Sequence, residues 1–317
     1  MSLWIDLLLV IAGMGLLFGG GELLVRGATG LARRYGVSEL VIGLTIVGFA
    51  TSTPELLVSV QAALKGAPEI AIGNVVGSNI ANILLIGGST ALLATGLNLE
   101  KSIRRELHIM LGASLLVLVA AAWGAIPRPA GLVLVLLLAA YLAVHFRAAR
   151  RANAANELRR PDMAGATPAW RSLLALTAGL GMLFAGANWL VDGASSIARS
   201  VGVSEAVIGL TVVALGTSLP ELATSIVAAW RGRGEVAVGN VIGSNIFNVL
   251  GILGVTAMIE PLSIASRFLW LDVPLMLAVS VLFSVAVIAR SGLGRGSGAI
   301  MLAAYLVYTV ALFALPG

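Results

Sequence analysis

The sequence predicts an all-α integral membrane protein of ten transmembrane helices, arranged as two inverted five-helix repeats with kinked or broken second and third helices in each. Three observations support this prediction: the composition, the spacing of the apolar runs and an internal repeat. Of the 317 residues, 59% are hydrophobic and 11% are charged, whereas a soluble domain has about 25% charged residues. The 38 glycines suit helices that pack closely in lipid. The composition therefore excludes an ordinary soluble protein.

Apolar runs long enough to cross a bilayer, which takes about 20 residues, occur ten times. The first five lie at 3–25, 39–64, 69–96, 106–124 and 129–146. The second five lie at 172–191, 205–230, 235–258, 268–289 and 297–316. The first run has the acidic Asp6 in place of a basic flank and no clear cleavage site, so it is predicted to be a span and not a signal peptide.

One extended polar stretch, residues 147–171, separates the two sets of spans and contains six arginines. It is predicted to be a basic cytoplasmic linker in water. The expected organisation is a first repeat at 1–146, this linker, and a second repeat at 172–317.

The basic residues predict the orientation. If the N-terminus is outside the cell, 16 of the 20 lysines and arginines fall in cytoplasmic loops or in the linker. Only Lys65, Arg128, Arg199 and Arg267 fall outside. The positive-inside rule therefore favours ten spans with both termini extracytoplasmic. Because the net charge of +5 sits in short loops, a nucleic-acid partner is not expected.

The internal repeat joins residues 36–82 to residues 202–248. The two segments align without a gap at a constant offset of 166, and 29 of the 47 positions are identical. Five spans, an odd number, separate the copies, so the copies cross the membrane in opposite directions. This pattern is an inverted-topology repeat.

A polar break lies in the middle of the second span of each half, in the segments ATSTPE and GTSLPE. Each contains a proline, Pro54 or Pro220, which removes a backbone donor and clashes with the carbonyl four residues earlier. The carbonyls of Ala50 and Gly216 should therefore lose their helical partners, and those of the neighbouring threonines could also become exposed. In the bilayer core such groups need protein, a wet cavity or a bound cation as a partner.

Glu55 and Glu221 occupy equivalent positions about 16 residues into these spans. A carboxylate at that depth costs several kcal/mol unless it is paired or protonated. The alternative of a buried ion pair lacks a partner, because no lysine or arginine is predicted at comparable depth. A metal cation or a proton is therefore expected to neutralise the two glutamates.

The third span of each half opens with a polar stripe whose members are four residues apart and so share one helix face. The stripe contains Asn74, Ser78 and Asn82 in the first half, and Asn240, Ser244 and Asn248 in the second. With the glutamates, these oxygen atoms suit hard cations such as Ca²⁺ and Na⁺ and do not suit zinc or copper. The alternative is hydrogen bonding between packed helices. Asn74, Asn79, Asn240 and Asn245 suit helix packing at least as well as ligation.

Other polar residues are expected to be structural. Asp272, near the start of the ninth span, is predicted to be an interfacial anchor. His108 and His145 lie near span ends and are not duplicated, so no transport role is expected for them.

At TSTPE, GTSLPE and the paired GN-x-x-GSN-I-x-N segments, the sequence resembles the calcium/cation antiporter superfamily, and in particular prokaryotic sodium/calcium exchangers. The resemblance implies that the repeats meet at the centre of the prokaryotic inner membrane and that Ca²⁺ and Na⁺ are transported, without a cofactor or an obligate protein partner. The implied calcium ligands are Glu55, Glu221, Thr51 and Thr217; the implied sodium contacts are Ser52, Ser218, Ser78 and Ser244; Asn82 and Asn248 complete the site. Some members have an aspartate at the position of Asn248, and the neutral residue makes potassium coupling less expected.

The expected activity is therefore secondary antiport of Na⁺ for Ca²⁺ by alternating access. A proton-coupled Ca²⁺ antiporter stays open, because buried carboxylates can also carry protons. A cation channel would need a continuous pore instead of a central occluded site. An enzyme is not expected, since the spans contain no serine paired with a mid-membrane histidine, no paired aspartates and no metal-binding histidine motif.

Overall fold

The computed structural model describes residues 3–93, 103–157, 168–202, 214–290 and 293–314, and these are almost entirely helical. In the first half the helices are α1 (Leu3–Tyr35), α2 (Glu39–Thr51), α3 (Thr53–Leu64), α4 (Pro68–Leu93), α5 (Ile103–Trp123) and α6 (Arg128–Glu157). In the second half they are α7 (Ala169–Ser200), α8 (Ala214–Thr217), α9 (Leu219–Trp230), α10 (Gly234–Ile259), α11 (Val273–Arg290, after a π-helical turn at Phe268–Asp272) and α12 (Arg295–Ala314). Two short strands, β1 (Ala125–Ile126) and β2 (Leu262–Ser263), pair antiparallel with Ala125 opposite Ser263.

Among the described residues, eight helices are long and apolar enough to cross a membrane, or nine if α2 and α3 form one span bent by 44°. The predicted span at 205–230 lies partly outside the described residues. Only its second part, α8 and α9, is described, and neither helix is long enough to cross alone.

Several helices are longer than the predicted spans. α6 continues to Glu157, about ten residues into the stretch predicted to be a linker. This part of the chain is rich in alanine and arginine, which favour helix, and a helix satisfies its own backbone hydrogen bonds in water as well as in lipid. α1 and α7 likewise extend to Tyr35 and Ser200.

The helices are interrupted at equivalent points of the two halves. Ser52 separates α2 from α3, and Ser218 separates α8 from α9. The prolines that follow lie in the first turn of the next helix, where a missing N–H costs nothing. In α4 and α10, π-helical turns run from Asn82 to Gly87 and from Asn248 to Leu253. Such turns often occur at functional sites, and here both begin at a predicted site residue.

α1 and α7 pack against each other along their length through glycines. A Cβ added to Gly20 would lie 2.8 Å from the carbonyl oxygen of Gly179, and one added to Gly13 would lie 2.8 Å from that of Gly186. Because the two backbones touch, only glycine fits at these positions. This close packing is typical of membrane helices.

The surface of the helix bundle is apolar and its interior contains many polar groups. Large apolar side chains point outward, as shown by Trp4 at 78%, Trp123 at 81% and Ile300 at 72% exposure. Buried serines, threonines, asparagines and acids lie inside. This distribution suits a chain surrounded by lipid, and it places the predicted site residues in the protein interior.

Candidate ion-binding site

Two buried glutamates form the centre of the site. Glu55 lies in the first turn of α3 and Glu221 in the first turn of α9, and each is 1% exposed. Because each helix begins inside the protein, the partial positive charge of its N-terminus stabilises the nearby carboxylate.

Hydrogen bonds cross between the two halves at these helix starts. The Ser52 hydroxyl donates to Oε1 of Glu221 at 2.9 Å, and the Ser218 hydroxyl donates to Oε1 of Glu55 at 3.3 Å. Both serines occupy N-cap positions, where a hydroxyl usually accepts a bond from its own helix, but neither makes such a bond. The serines therefore connect the break in one half to the glutamate of the other.

The second oxygen of each glutamate receives no hydrogen bond from the part of the chain that the structure describes. Oε2 of Glu55 and Oε2 of Glu221 are buried and have no partner among the described residues. The ion pairs seen in the described part of the chain involve other acids. Two buried carboxylates in this situation need a cation or a proton.

Asn82 and Asn248 complete a symmetric set of unpartnered oxygens. Each is at most 2% exposed and begins the π-helical turn of its half. Their Nδ2 groups donate to Oδ1 of Asn245 and of Asn79, both at 3.0 Å. Their Oδ1 atoms are buried and have no partner in the part of the chain that the structure describes.

The other predicted site residues lie on the same breaks and helices. Thr51 is fully buried, and its hydroxyl donates within α2 to the carbonyl of Val47 at 3.1 Å. Ser244 is fully buried and donates to the carbonyl of Gly48 at 3.2 Å. Ser78 is buried on α4. Thr217 is partly buried and directly precedes Ser218 in the break between α8 and α9.

Asn74 and Asn240 join the third span of each half to the second. Nδ2 of Asn74 donates to the Ser59 hydroxyl at 2.9 Å and to the carbonyl of Glu55 at 3.1 Å. Nδ2 of Asn240 makes the equivalent bonds to Ser225 at 2.9 Å and to the carbonyl of Glu221 at 3.2 Å. These contacts match the expected helix-packing role and hold the backbone next to each glutamate.

Sequence reasoning missed the methionines behind the asparagines. Asn245 contacts the sulfur of Met110, and Asn79 contacts the sulfur of Met276, both at 3.6 Å. The two methionines are also 166 positions apart. Extending the repeat offset past the aligned segment would have identified them as a duplicated pair.

Glu106 and Asp272 are also 166 positions apart, so they occupy equivalent positions in the two halves. The sequence analysis did not identify them as a pair. Glu106 is 1% exposed and accepts hydrogen bonds from Tyr141 at 3.1 Å, and its Oε2 lies 3.2 Å from Nε2 of His145. Asp272 lies 3.3 Å from the guanidinium of Arg267, a contact that suits the predicted anchoring role. These contacts are separate from the glutamate pair, and His145 serves to pair a buried acid.

The central group therefore offers oxygen atoms from carboxylates, amides and hydroxyls. Oxygen-only sets of this kind bind hard cations, and the chain contains no cysteine that would favour a softer metal. Two carboxylates match the charge of one divalent ion. They can instead neutralise monovalent ions, with the neighbouring hydroxyls as further oxygen ligands.

Comparisons with known proteins agree with this arrangement. The family model described as sodium/calcium exchanger protein matches residues 5–147 and 171–314. The chain is 37% identical to the putative antiporter CaxA of Alkalimonas amylolytica, over 96% of this chain and 97% of that protein. It is 33% identical to the sodium/calcium exchanger MaX1 of Methanosarcina acetivorans, over 98% and 99%. Its structure is similar to that of the sodium-calcium exchanger NCX_Mj, with a TM-score of 0.83 and 32% identity over 98% of this chain and 100% of that chain. The chain therefore belongs to the sodium/calcium exchanger protein family.

Proposed function

We propose that this protein is a secondary antiporter that exchanges Na⁺ for Ca²⁺ across the prokaryotic inner membrane by alternating access. One observation carries the proposal: four buried oxygens, two from glutamates and two from asparagines, have no hydrogen-bond donor among the described residues. The names of similar proteins support the choice of ions, since MaX1 and NCX_Mj are both called sodium/calcium exchangers.

The proposed topology is ten spans in two inverted repeats with both termini outside. The equivalent breaks at Ser52 and Ser218 and the equivalent π-helical turns at Asn82 and Asn248 support a duplicated architecture. The tenth span would consist of α8, α9 and the residues before them, which lie outside the described part. The positive-inside count supports the orientation.

In this proposal Ca²⁺ binds between the glutamates. Two carboxylates neutralise it, and the remaining ligands are oxygens, as Ca²⁺ requires. The proposed calcium ligands are Glu55, Glu221 and the carbonyls of Thr51 and Thr217, with Asn82 and Asn248 completing the site. The proposed sodium contacts are Ser52, Ser218, Ser78 and Ser244.

Competition for one set of ligands explains coupling. Ser52 and Ser218 each hydrogen-bond a glutamate oxygen, so moving these hydroxyls changes the ligands available to either ion. When Ca²⁺ holds both carboxylates, Na⁺ has no negative charge to share, and the reverse is also true. Inverted repeats can then open the same site to each side in turn.

Proton coupling is the second candidate, and the unpartnered Oε2 atoms favour it, because a proton could occupy the same carboxylates. The name of one similar protein, the putative antiporter CaxA, gives no coupling ion.

The test is ⁴⁵Ca²⁺ uptake by the purified protein in proteoliposomes loaded with Na⁺, compared with vesicles holding only K⁺ or choline. A pH gradient is imposed in a separate set. Uptake is expected to need internal Na⁺ and to be abolished by Glu55→Gln or Glu221→Gln. Glu260→Gln serves as the control, because this carboxylate is half-exposed and outside the site.

Uptake driven by the pH gradient alone would support the proton-coupled candidate. If both site variants transport as well as the wild type, the proposed role of the glutamates is wrong.

A further inference from the structure

We propose that two hydrogen-bonded chains determine which end of the Asn82 and Asn248 amides faces the ion. Each chain, here called an amide relay, consists of a site asparagine, a second asparagine and a methionine. The first is Asn82–Asn245–Met110 and the second is Asn248–Asn79–Met276. The inference rests on the proposed function, since it assigns positioning residues to the same site.

The relay answers a problem that every asparagine ligand presents. The two ends of an amide are nearly equal in size, but one is an acceptor oxygen and the other is an NH₂ group with two donors. Only the oxygen can bind a cation. An asparagine that rotates by 180° about its last bond therefore changes from a ligand to a repulsive neighbour without any change in packing volume.

Only one orientation of the two amides gives every contact within the first relay a donor and an acceptor. A thioether sulfur accepts hydrogen bonds but cannot donate them, so Nδ2 of Asn245 must face Met110, at 3.6 Å. Oδ1 of Asn245 then faces Asn82 and accepts from its Nδ2 at 3.0 Å. The remaining atom, Oδ1 of Asn82, is buried and has no hydrogen-bond partner among the described residues.

The second relay repeats this arrangement with the halves exchanged. Nδ2 of Asn79 lies 3.6 Å from the sulfur of Met276, and Oδ1 of Asn79 accepts from Nδ2 of Asn248 at 3.0 Å. Nδ2 of Asn79 also lies 3.5 Å from the carbonyl of Asn245, which is a further acceptor for the same end. Oδ1 of Asn248 is again the unpartnered atom.

Burial makes one orientation of each amide more stable than the other. The six residues are between 0% and 2% exposed, so water cannot satisfy an amide that faces the wrong way. A rotated Asn245 would place its NH₂ against the NH₂ of Asn82 and its oxygen against the methionine sulfur, which leaves buried donors and acceptors unsatisfied. The methionine therefore acts on the ion through two amides and without touching it.

Each relay crosses from one half to the other and back. Asn82 and Met110 belong to the first half, and Asn245 between them belongs to the second. The geometry thus assigns Asn79 and Asn245 to positioning, and not to ligation.

The test replaces the acceptor sulfur without changing the volume. Met110→Leu and Met276→Leu are nearly isosteric changes, but leucine accepts no hydrogen bond. Met301→Leu is the matched control, because Met301 is also buried and packs against Gly87, and no asparagine contact to its sulfur is seen among the described residues. Ca²⁺ affinity is measured on purified protein from the Ca²⁺-dependent rise in unfolding temperature, and the KM and maximal rate for Ca²⁺ are measured in proteoliposomes.

We expect Met110→Leu to weaken Ca²⁺ binding and raise KM by about tenfold, equivalent to about 1.4 kcal/mol, with the maximal rate and the folded yield unchanged. Met276→Leu should change both in the same direction by a smaller factor, because the carbonyl of Asn245 still accepts from Asn79. The control should match the wild type. A purely structural role would instead lower yield or maximal rate and leave the affinity of the folded fraction unchanged.

A second background makes the test specific to amide polarity. Asn82→Asp places a carboxylate at this position, which presents an oxygen in either rotamer. In that background Met110→Leu should no longer weaken Ca²⁺ binding, whereas Met276→Leu, which acts through Asn248, should keep its full effect.

The relay is refuted if Met110→Leu binds Ca²⁺ as tightly as the wild type, or if its effect is equally large in the Asn82→Asp background. Binding separates this result from the proposed coupling. A wild type that binds Ca²⁺ but shows no Na⁺-dependent uptake would overturn the coupling and still allow the relay to be judged from the binding measurements.

Discussion

Replacement of Gly243 by alanine tests how closely the two halves must approach beside the site. Gly243 lies on α10 against a π-helical turn of α2 at Gly43–Val47. A Cβ at this position would clash with the carbonyl oxygen of Leu44 and lie 2.6 Å from its carbonyl carbon. These are backbone atoms, which cannot move aside as the end of a side chain can. The helices would have to separate by about 1 Å to restore normal contact.

Two opposing effects set the magnitude. Alanine favours helix over glycine by about 1 kcal/mol, whereas overpacking a rigid contact costs about 1–3 kcal/mol and occasionally more. Because the clash involves backbone on both sides, the upper part of that range applies. A net loss of about 2 kcal/mol is expected. Transport should also fall, because the separation would draw the hydroxyl of Ser244 away from the carbonyl of Gly48, which it contacts at 3.2 Å.

Thermal unfolding in detergent, followed by the fluorescence of the six tryptophans, measures the loss. Gly112→Ala is the control. Gly112 lies on the exposed face of α5, and an added Cβ there would meet nothing within 4 Å among the described residues, so only the gain in helix propensity should be seen. If Gly243→Ala unfolds at the same temperature as Gly112→Ala or higher, the two halves can separate without cost and the reasoning is wrong.

Three further predictions concern contacts around the site. Glu106→Gln should lower stability by about 1–3 kcal/mol, because an amide has one acceptor oxygen and cannot accept from both Tyr141 and Arg105 as the buried carboxylate does; an unchanged unfolding temperature would contradict this. Asn240→Ala should cost about 1–3 kcal/mol, because buried Ser225 loses its partner, and Ca²⁺-dependent stabilisation should weaken with it. Arg231→Gln should change stability by less than about 1 kcal/mol, because Arg231, which pairs with Glu22 of α1, is half-exposed to the surroundings. A drop in unfolding temperature that corresponds to a larger loss would contradict this.

Much of the candidate site could be predicted because the sequence contains an internal repeat. Glu55 and Glu221 are 166 positions apart, and each lies within an apolar run of the sequence. The prediction that they lie in the interior is confirmed. Ser52 and Ser218 lie in the two polar breaks, and their role as sodium contacts was implied by the family resemblance. What the sequence could not show is that each serine bonds the glutamate of the other half, since these partners are 169 and 163 residues apart.

The local conformation of the breaks was only partly predictable. The prolines indicated distortion, but the helix stops at Ser52 and Ser218, and the prolines fit into the start of the next helix. The π-helical turns at Asn82 and Asn248 had no local signal, because inserting a residue into a helical turn depends on the neighbours that the helix must contact.

The sequence by itself determined that the chain is a membrane protein, that it contains a repeat, and that two glutamates lie in apolar runs with no lysine or arginine at comparable depth. These properties depend on composition, run length and spacing, which are read along one dimension. Only the tertiary structure decided that Asn245 and Asn79 accept hydrogen bonds from Asn82 and Asn248 of the opposite half. The reason is physical: a hydrogen bond between helices depends on which faces meet and at what rotation, and those are set by the packing of the two halves as a whole.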